Sequence, residues 1–231
     1  MAQSDINQGT GRRQFIGSLA VGAAGIGASI ATPLNLHAGT FAAVADGDPE
    51  AVFSKITGKH KMVFDATQPH GLFPFAWPRV FLMTNEMTGS PQKDVSVVVV
   101  LRHDAIPYAF EDKLWVKYKF GEFFKADDPA TKSRATRNPF AQPASGEYKV
   151  PGIGPVAIGI NELQASGVIF VVCDAAMTVY SAVMAESMKM DPAEVKKEWI
   201  AGLLPGITPV PSGVWALGRA QEKGCAYIFA G

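Results

Sequence analysis

The chain has 231 residues, and its 21 lysines and arginines balance 21 aspartates and glutamates. That neutrality excludes a general nucleic-acid binder, which carries a basic excess. After residue 38 no segment has the unbroken apolar length of a membrane helix, so no stable membrane insertion is expected of the part that follows.

At the N-terminus, polar residues 1–10 lead into Gly11-Arg12-Arg13-Gln14-Phe15-Ile16-Gly17 and a run of Ala, Gly, Val and Ile up to Ile30. Paired arginines, a Phe two positions on and a mildly apolar Gly/Ala stretch resemble a twin-arginine export signal. An uncleaved membrane anchor over 15–36 is the competing reading, which the glycines and Pro33 disfavour. Small-residue cleavage sites follow Ala38 and Ala45. The expected layout is a leader over 1–38, with cleavage as late as 45 as the variant, and one domain over 46–231 in the periplasm. Losing the leader removes Arg12, Arg13 and Asp5 and keeps the charge near zero.

Residues 61–66 (KMVFDA) predict a first strand, closed by Thr67-Gln68-Pro69-His70-Gly71. A helix is expected over 77–87, beginning near Pro78. Residues 95–101 (VSVVVVL) form an apolar β-branched run, as in a strand buried on both faces. Helical spacing over 108–124 puts Leu114, Trp115 and Tyr118 on one side. The stretch 126–155 breaks the rhythm with Asp, Pro, Thr, Ser, Arg and Gly, and is expected to be an irregular insert.

Alternation then resumes with a helix over 156–165, a strand over 168–172 (VIFVV) and a helix over 175–188. Asp191-Pro192-Ala193-Glu194 starts another helix, with Asp as N-cap and Pro in the first turn. A short strand at 207–210, a helix at 213–222 and a last strand at 226–229 close the chain. Strands alternating with helices predict an α/β fold with a mainly parallel sheet of about five strands. Such sheets bind ligands beyond the carboxyl ends of their strands.

The residues just past the predicted strands are therefore the candidates: Gln68 and His70, then Arg102-His103-Asp104, then Cys173-Asp174, then Ser212-Gly213. Cys173 has the most distinctive chemistry, because it stands between a strand and a helix N-terminus. Free helix N–H groups favour a thiolate and bind anions. Asp174 works against that as a neighbouring negative charge, and Arg102 or a protonated His103 would offset it. The plainer reading of Cys173 is an inert small apolar residue.

Cys225 precedes the last strand and so lies at the opposite end of the sheet. Five strand residues span about 16 Å, whereas bridged cysteines need Cα atoms within about 7 Å. An intramolecular disulfide is disfavoured and Cys225 reads as core.

Residues 167–176 (GVIFVVCDAA) are similar to the cysteine-bearing segment of the DsrE-like (DsrE/DsrF, TusD, YchN-type) sulfur-relay family. Residues 203–207 (LLPGI), 211–214 (PSGV) and 221–228 (QEKGCAYI) resemble that family's closing strand–helix–strand. The similarity covers roughly 61–231 around the insert. It implies a three-layer α/β/α domain, a homo-oligomer, and sulfur carried as a persulfide on Cys173. The family's cytoplasmic members pass sulfur to cytoplasmic partners, which an exported protein would not meet.

Two functions are weighed. In the first, Cys173 takes sulfane sulfur from a small sulfur-containing anion or a protein persulfide, as a sulfurtransferase or sulfur carrier. Arg102 and His103 act beside it, and Asp104, Asp174 and Ser212 contact the substrate. Arg137 and Asn138, with Arg134, would close over the anion from the insert; the plainer reading of the two arginines is solvated loop charge. In the second, the same cleft is a non-catalytic small-ligand or metal module, for which His70, His103, Asp104 and Cys173 are suitable ligand types without recognisable spacing. No cofactor is expected, since phosphate-loop, dinucleotide and nucleophile-elbow motifs are lacking.

Overall fold

A computed structural model describes residues 48–231; the leader expected over 1–38 lies outside them. The five principal strands are β1 (His60–Ala66), β2 (Val95–Leu101), β3 (Ile169–Cys173), β4 (Ile207–Val210) and β5 (Ala226–Phe229). They form one sheet in the order β4-β3-β2-β1-β5, and every pairing is parallel. β2 is central, which explains its valine run: Val98, Val99 and Val100 are wholly buried. Removing each such side chain from water stabilises the fold by about 1.5–3 kcal/mol.

The helices are α1 (Phe73–Met87), α2 (Asp112–Tyr118), α3 (Phe120–Phe123), α4 (Ile160–Ala165), α5 (Asp174–Met188), α6 (Pro192–Ala201) and α7 (Gly213–Glu222). One sheet face, with Phe64, Val97, Val99, Phe170 and Val172, packs on Phe75 of α1, Met177 of α5 and the aromatic cluster around Trp115 and Trp199. The other, with Val63, Val98, Val100 and Val171, packs on Leu217 and Ala220 of α7 and on Val52 and Phe53 of a 3-10 turn. The result is a three-layer α/β/α arrangement. Among the described residues no helix is long and apolar enough to cross a membrane.

Three expectations shift. α1 begins at Phe73 with Pro74 in its first turn, so Pro78 lies inside the helix. The expected helix over 108–124 divides into a 3-10 segment (His103–Ala109), α2 and α3, because Lys119 takes a left-handed φ of 50°. Leu114, Trp115 and Tyr118 nevertheless share the buried side. The expected helix over 156–165 shrinks to α4, since extended Gly159 caps it and its N–H donates to Glu162 Oε2 at 2.9 Å.

The insert at 126–155 is irregular apart from two short antiparallel ladders, Asp127–Asp128 with Ser133–Arg134 and Lys149–Val150 with Gly154–Pro155. It is anchored to the body. Phe140 is fully buried and stacks on Phe75 with ring centroids 4.3 Å apart.

Candidate functional site at the carboxyl ends of the strands

Register brings the central candidates together. Leu101 of β2 pairs with Val172 of β3, so the next residue of each strand, Arg102 and Cys173, stands on adjacent strand ends about 4.8 Å apart in backbone spacing. Cys173 in turn pairs with Val210, which brings Pro211, Ser212 and Gly213 alongside.

Cys173 is the N-cap of α5. Its Sγ accepts the Ala176 N–H at 3.3 Å, a contact within reach for the larger sulfur atom. The next free N–H of the helix, from Ala175, goes to the Pro211 carbonyl at 3.2 Å. The helix end thus acts on the sulfur chiefly through Ala176. Only 6% of Cys173 is exposed.

Arg102 is fixed by a residue that sequence reasoning missed. Its Nε donates to Asp65 Oδ1 at 2.6 Å and its Nη2 to Oδ2 at 2.9 Å, and Tyr227 Oη donates to Oδ2 at 2.8 Å. Asp65 is 1% exposed at the end of β1. The hydrogen bond to Asp65 raises the Arg102 pKa, and Tyr227 and Cys173 lie close enough to add to it. Only an acid at an otherwise apolar position, the D of KMVFDA, could have given Asp65 away in the sequence.

Asp174 is fully buried. Lys196 Nζ lies 3.0 Å from it and also donates to Thr178 Oγ1 at 2.8 Å. Burial pushes the Asp174 pKa up, and the hydrogen bond from Lys196 pulls it back. The two cations of this region, Arg102 and Lys196, therefore each have a carboxylate of their own. Arg102 does not stand free to cancel the charge of Asp174, as the sequence suggested; Lys196 meets that charge.

His103 adopts a left-handed φ of 50°, a conformation that non-glycine residues seldom take and that recurs at functional sites. Its Nδ1 lies 3.4 Å from Asp104 Oδ1, an oxygen that also accepts the Tyr180 hydroxyl of α5. The imidazole and the Tyr180 ring meet nearly at right angles, with centroids 5.9 Å apart. Burial, then the bond to Asp104, raises the Tyr180 pKa. The His103 side chain remains 62% exposed, so its imidazole faces solvent at the position after Arg102.

The other candidates are engaged elsewhere. The Ser212 hydroxyl caps α7 by accepting the Trp215 N–H at 3.2 Å. Gly213 packs on Arg102, and a Cβ there would lie 2.6 Å from the Arg102 Cβ. Arg137 pairs with Glu147 at 2.9 Å, and Arg134 pairs with Asp127. Asn138 is 1% exposed; its Nδ2 donates to the Tyr108 and Phe110 carbonyls at 2.9 and 2.8 Å, and its Oδ1 accepts from Phe140 N–H. Arg137 and Asn138 thus hold the insert together. The backbone N–H groups of Thr67 and Gln68 donate to the Gly231 carbonyl, and His70 lies against Phe73.

Cys173 and Cys225 are both free and buried. Burial pushes the Cys225 thiol pKa up, as befits a core position beside α7 and the 3-10 turn. Among the described residues no three His, Cys, Asp or Glu side chains are placed to hold a metal ion. His70 lies beside Gly231 at the end of the chain, and His103 lies beside Asp104.

No family model and no curated protein matches the chain. A solved structure of a protein of unknown function from Methanobacterium thermoautotrophicum is similar to it over 74% of this chain and 98% of its own, at 17% identity and a TM-score of 0.33. A likeness of that degree carries no functional argument.

Proposed function

We propose that this protein is an exported, DsrE-like sulfur handler in which Cys173 holds sulfane sulfur as a persulfide. The observation that carries the reading is the placement of Cys173. Its sulfur caps a 15-residue helix through the Ala176 N–H while standing at a strand end beside Arg102. A helix N-terminus and a guanidinium both favour the anionic forms of sulfur, thiolate before transfer and persulfide after it.

In the transfer, the Cys173 thiolate attacks the outer sulfur of thiosulfate. The new S–S bond forms Cys173–S–S⁻, and sulfite leaves with the electron pair of the broken bond. A persulfide donor R–S–S⁻ reacts in the same way and releases R–S⁻. His103, exposed beside Asp104, is the group suited to give a proton to the departing thiolate. The homo-oligomer belongs to the same reading.

The test is mass spectrometry after exposure to thiosulfate or polysulfide, comparing the wild type with Cys173→Ser. A sulfur adduct equally abundant in the variant ends the proposal. Export is tested separately by fractionating cells that carry Arg12→Lys with Arg13→Lys: the reading expects cytoplasmic retention, and unchanged export removes it.

A further inference from the structure

We infer that Asp65 is the positioning residue of this site, with Tyr227 as its support. Together they hold the Arg102 guanidinium so that its free edge serves the anionic sulfur group at Cys173. The inference rests on the proposed sulfur-handling role of Cys173, and it goes further in assigning work to two residues from strands β1 and β5.

The geometry argues for orientation in preference to simple neutralisation. Asp65 takes Nε and Nη2 in a two-point grip, at 2.6 and 2.9 Å. A planar guanidinium held by two parallel bonds has lost its rotational freedom. Among the described residues Nη1 has no protein acceptor, and it is not among the buried unpartnered atoms. The donor edge left over is therefore open to an incoming anion.

Tyr227 fixes the carboxylate in turn, donating to the oxygen that holds Nη2. Gly213 packs on the aliphatic stem of the arginine, where a side chain would collide with Arg102 Cβ, Cγ and Cδ. Three elements thus determine where one cation stands. Arg102 is 27% exposed, whereas Asp65 is 1% exposed, so the carboxylate is hidden and the cation is the group that a ligand meets.

Alkylation of Cys173 by two reagents of nearly equal size tests this: iodoacetate, which is anionic, and iodoacetamide, which is neutral. The ratio of their rates at the Cys173 peptide cancels changes in thiol reactivity and general access, and reads the local cation alone. Arg102→Gln lowers the ratio roughly fivefold, the effect of one nearby charge in water-like surroundings.

Asp65→Asn lowers it by a similar factor, because the amide turns a donor toward the guanidinium and releases it. The double variant goes no lower, and Tyr227→Phe gives a smaller fall. A ratio that is unchanged or higher in Asp65→Asn overturns the inference, since it makes Asp65 a bystander or a mere counter-charge. If Asp65→Asn does not fold, Tyr227→Phe decides, and an unchanged ratio there has the same force. No sulfur donor is used, so failure of persulfide formation and failure of this positioning are read independently.

Discussion

Lys196 Nζ lies 3.0 Å from the Asp174 carboxylate, which is wholly buried beside Cys173. The residue next to the sulfur therefore does not present a bare negative charge. Replacing Lys196 with Met strands that carboxylate and costs roughly 3–5 kcal/mol of stability near neutrality, as breaking a buried pair does. Burial already raises the Asp174 pKa, and loss of Lys196 raises it further. A carboxylate whose folded pKa lies above its unfolded value destabilises the fold as pH rises through that window, and the cost vanishes once both states are protonated. The gap between Lys196→Met and wild type should thus narrow on acidification. Denaturant unfolding at neutral and acidic pH checks this; a gap independent of pH contradicts it.

Asn138→Ala separates scaffold from site. The side chain satisfies the Tyr108 and Phe110 carbonyls and the Phe140 N–H within the core. Its removal leaves buried groups unpaired and costs about 2–3 kcal/mol. The rate of Cys173 labelling at a temperature where the variant is folded should not change. A labelling rate that falls while stability holds would restore Asn138 to the substrate-binding role suggested by its sequence context.

Gly213→Ala places a Cβ 2.6 Å from Arg102 Cβ and 2.7 Å from its Cδ. The arginine must shift, at a cost of about 1–3 kcal/mol for overpacking. Thermal unfolding and the iodoacetate-to-iodoacetamide ratio at Cys173 should both fall. A lower melting temperature with an unchanged ratio would mean that Arg102 keeps its place by other contacts.

The layered fold was legible because its signals are local. VSVVVVL and VIFVV are apolar on both faces, and that alone requires a parallel sheet covered by helices on each side. The strand-end rule then led to Cys173 and Arg102. Asp65 stayed hidden because its meaning depends on register: it aligns with Val100, two residues before Arg102, and Tyr227 comes from the far end of the chain. Lys196 was invisible for a similar reason, since a lysine on a solvated-looking helix announces no buried partner. The insert misled by composition: Arg137 and Asn138 lie among polar loop residues, yet the burial of Phe140 and Tyr148 draws that loop into the core.

Cysteine replacement tests the cap. Cys173→Ser keeps an acceptor for the Ala176 N–H, because a serine oxygen is a good N-cap. The variant should fold with a melting temperature within about 5 °C of wild type while losing all sulfur chemistry at that position. Collapse of the fold would instead mark Cys173 as an apolar core residue whose capping contact is incidental.

Peptide mapping of both cysteines in one polysulfide-treated sample tests the sulfur-carrier reading most directly. Cys173 and Cys225 are similarly buried, each 6% exposed, so burial alone does not distinguish them; only Cys173 has the helix cap and the neighbouring guanidinium. One added sulfur is expected on the Cys173 peptide and none on that of Cys225. Equal loading of the two, or none on Cys173, would contradict it.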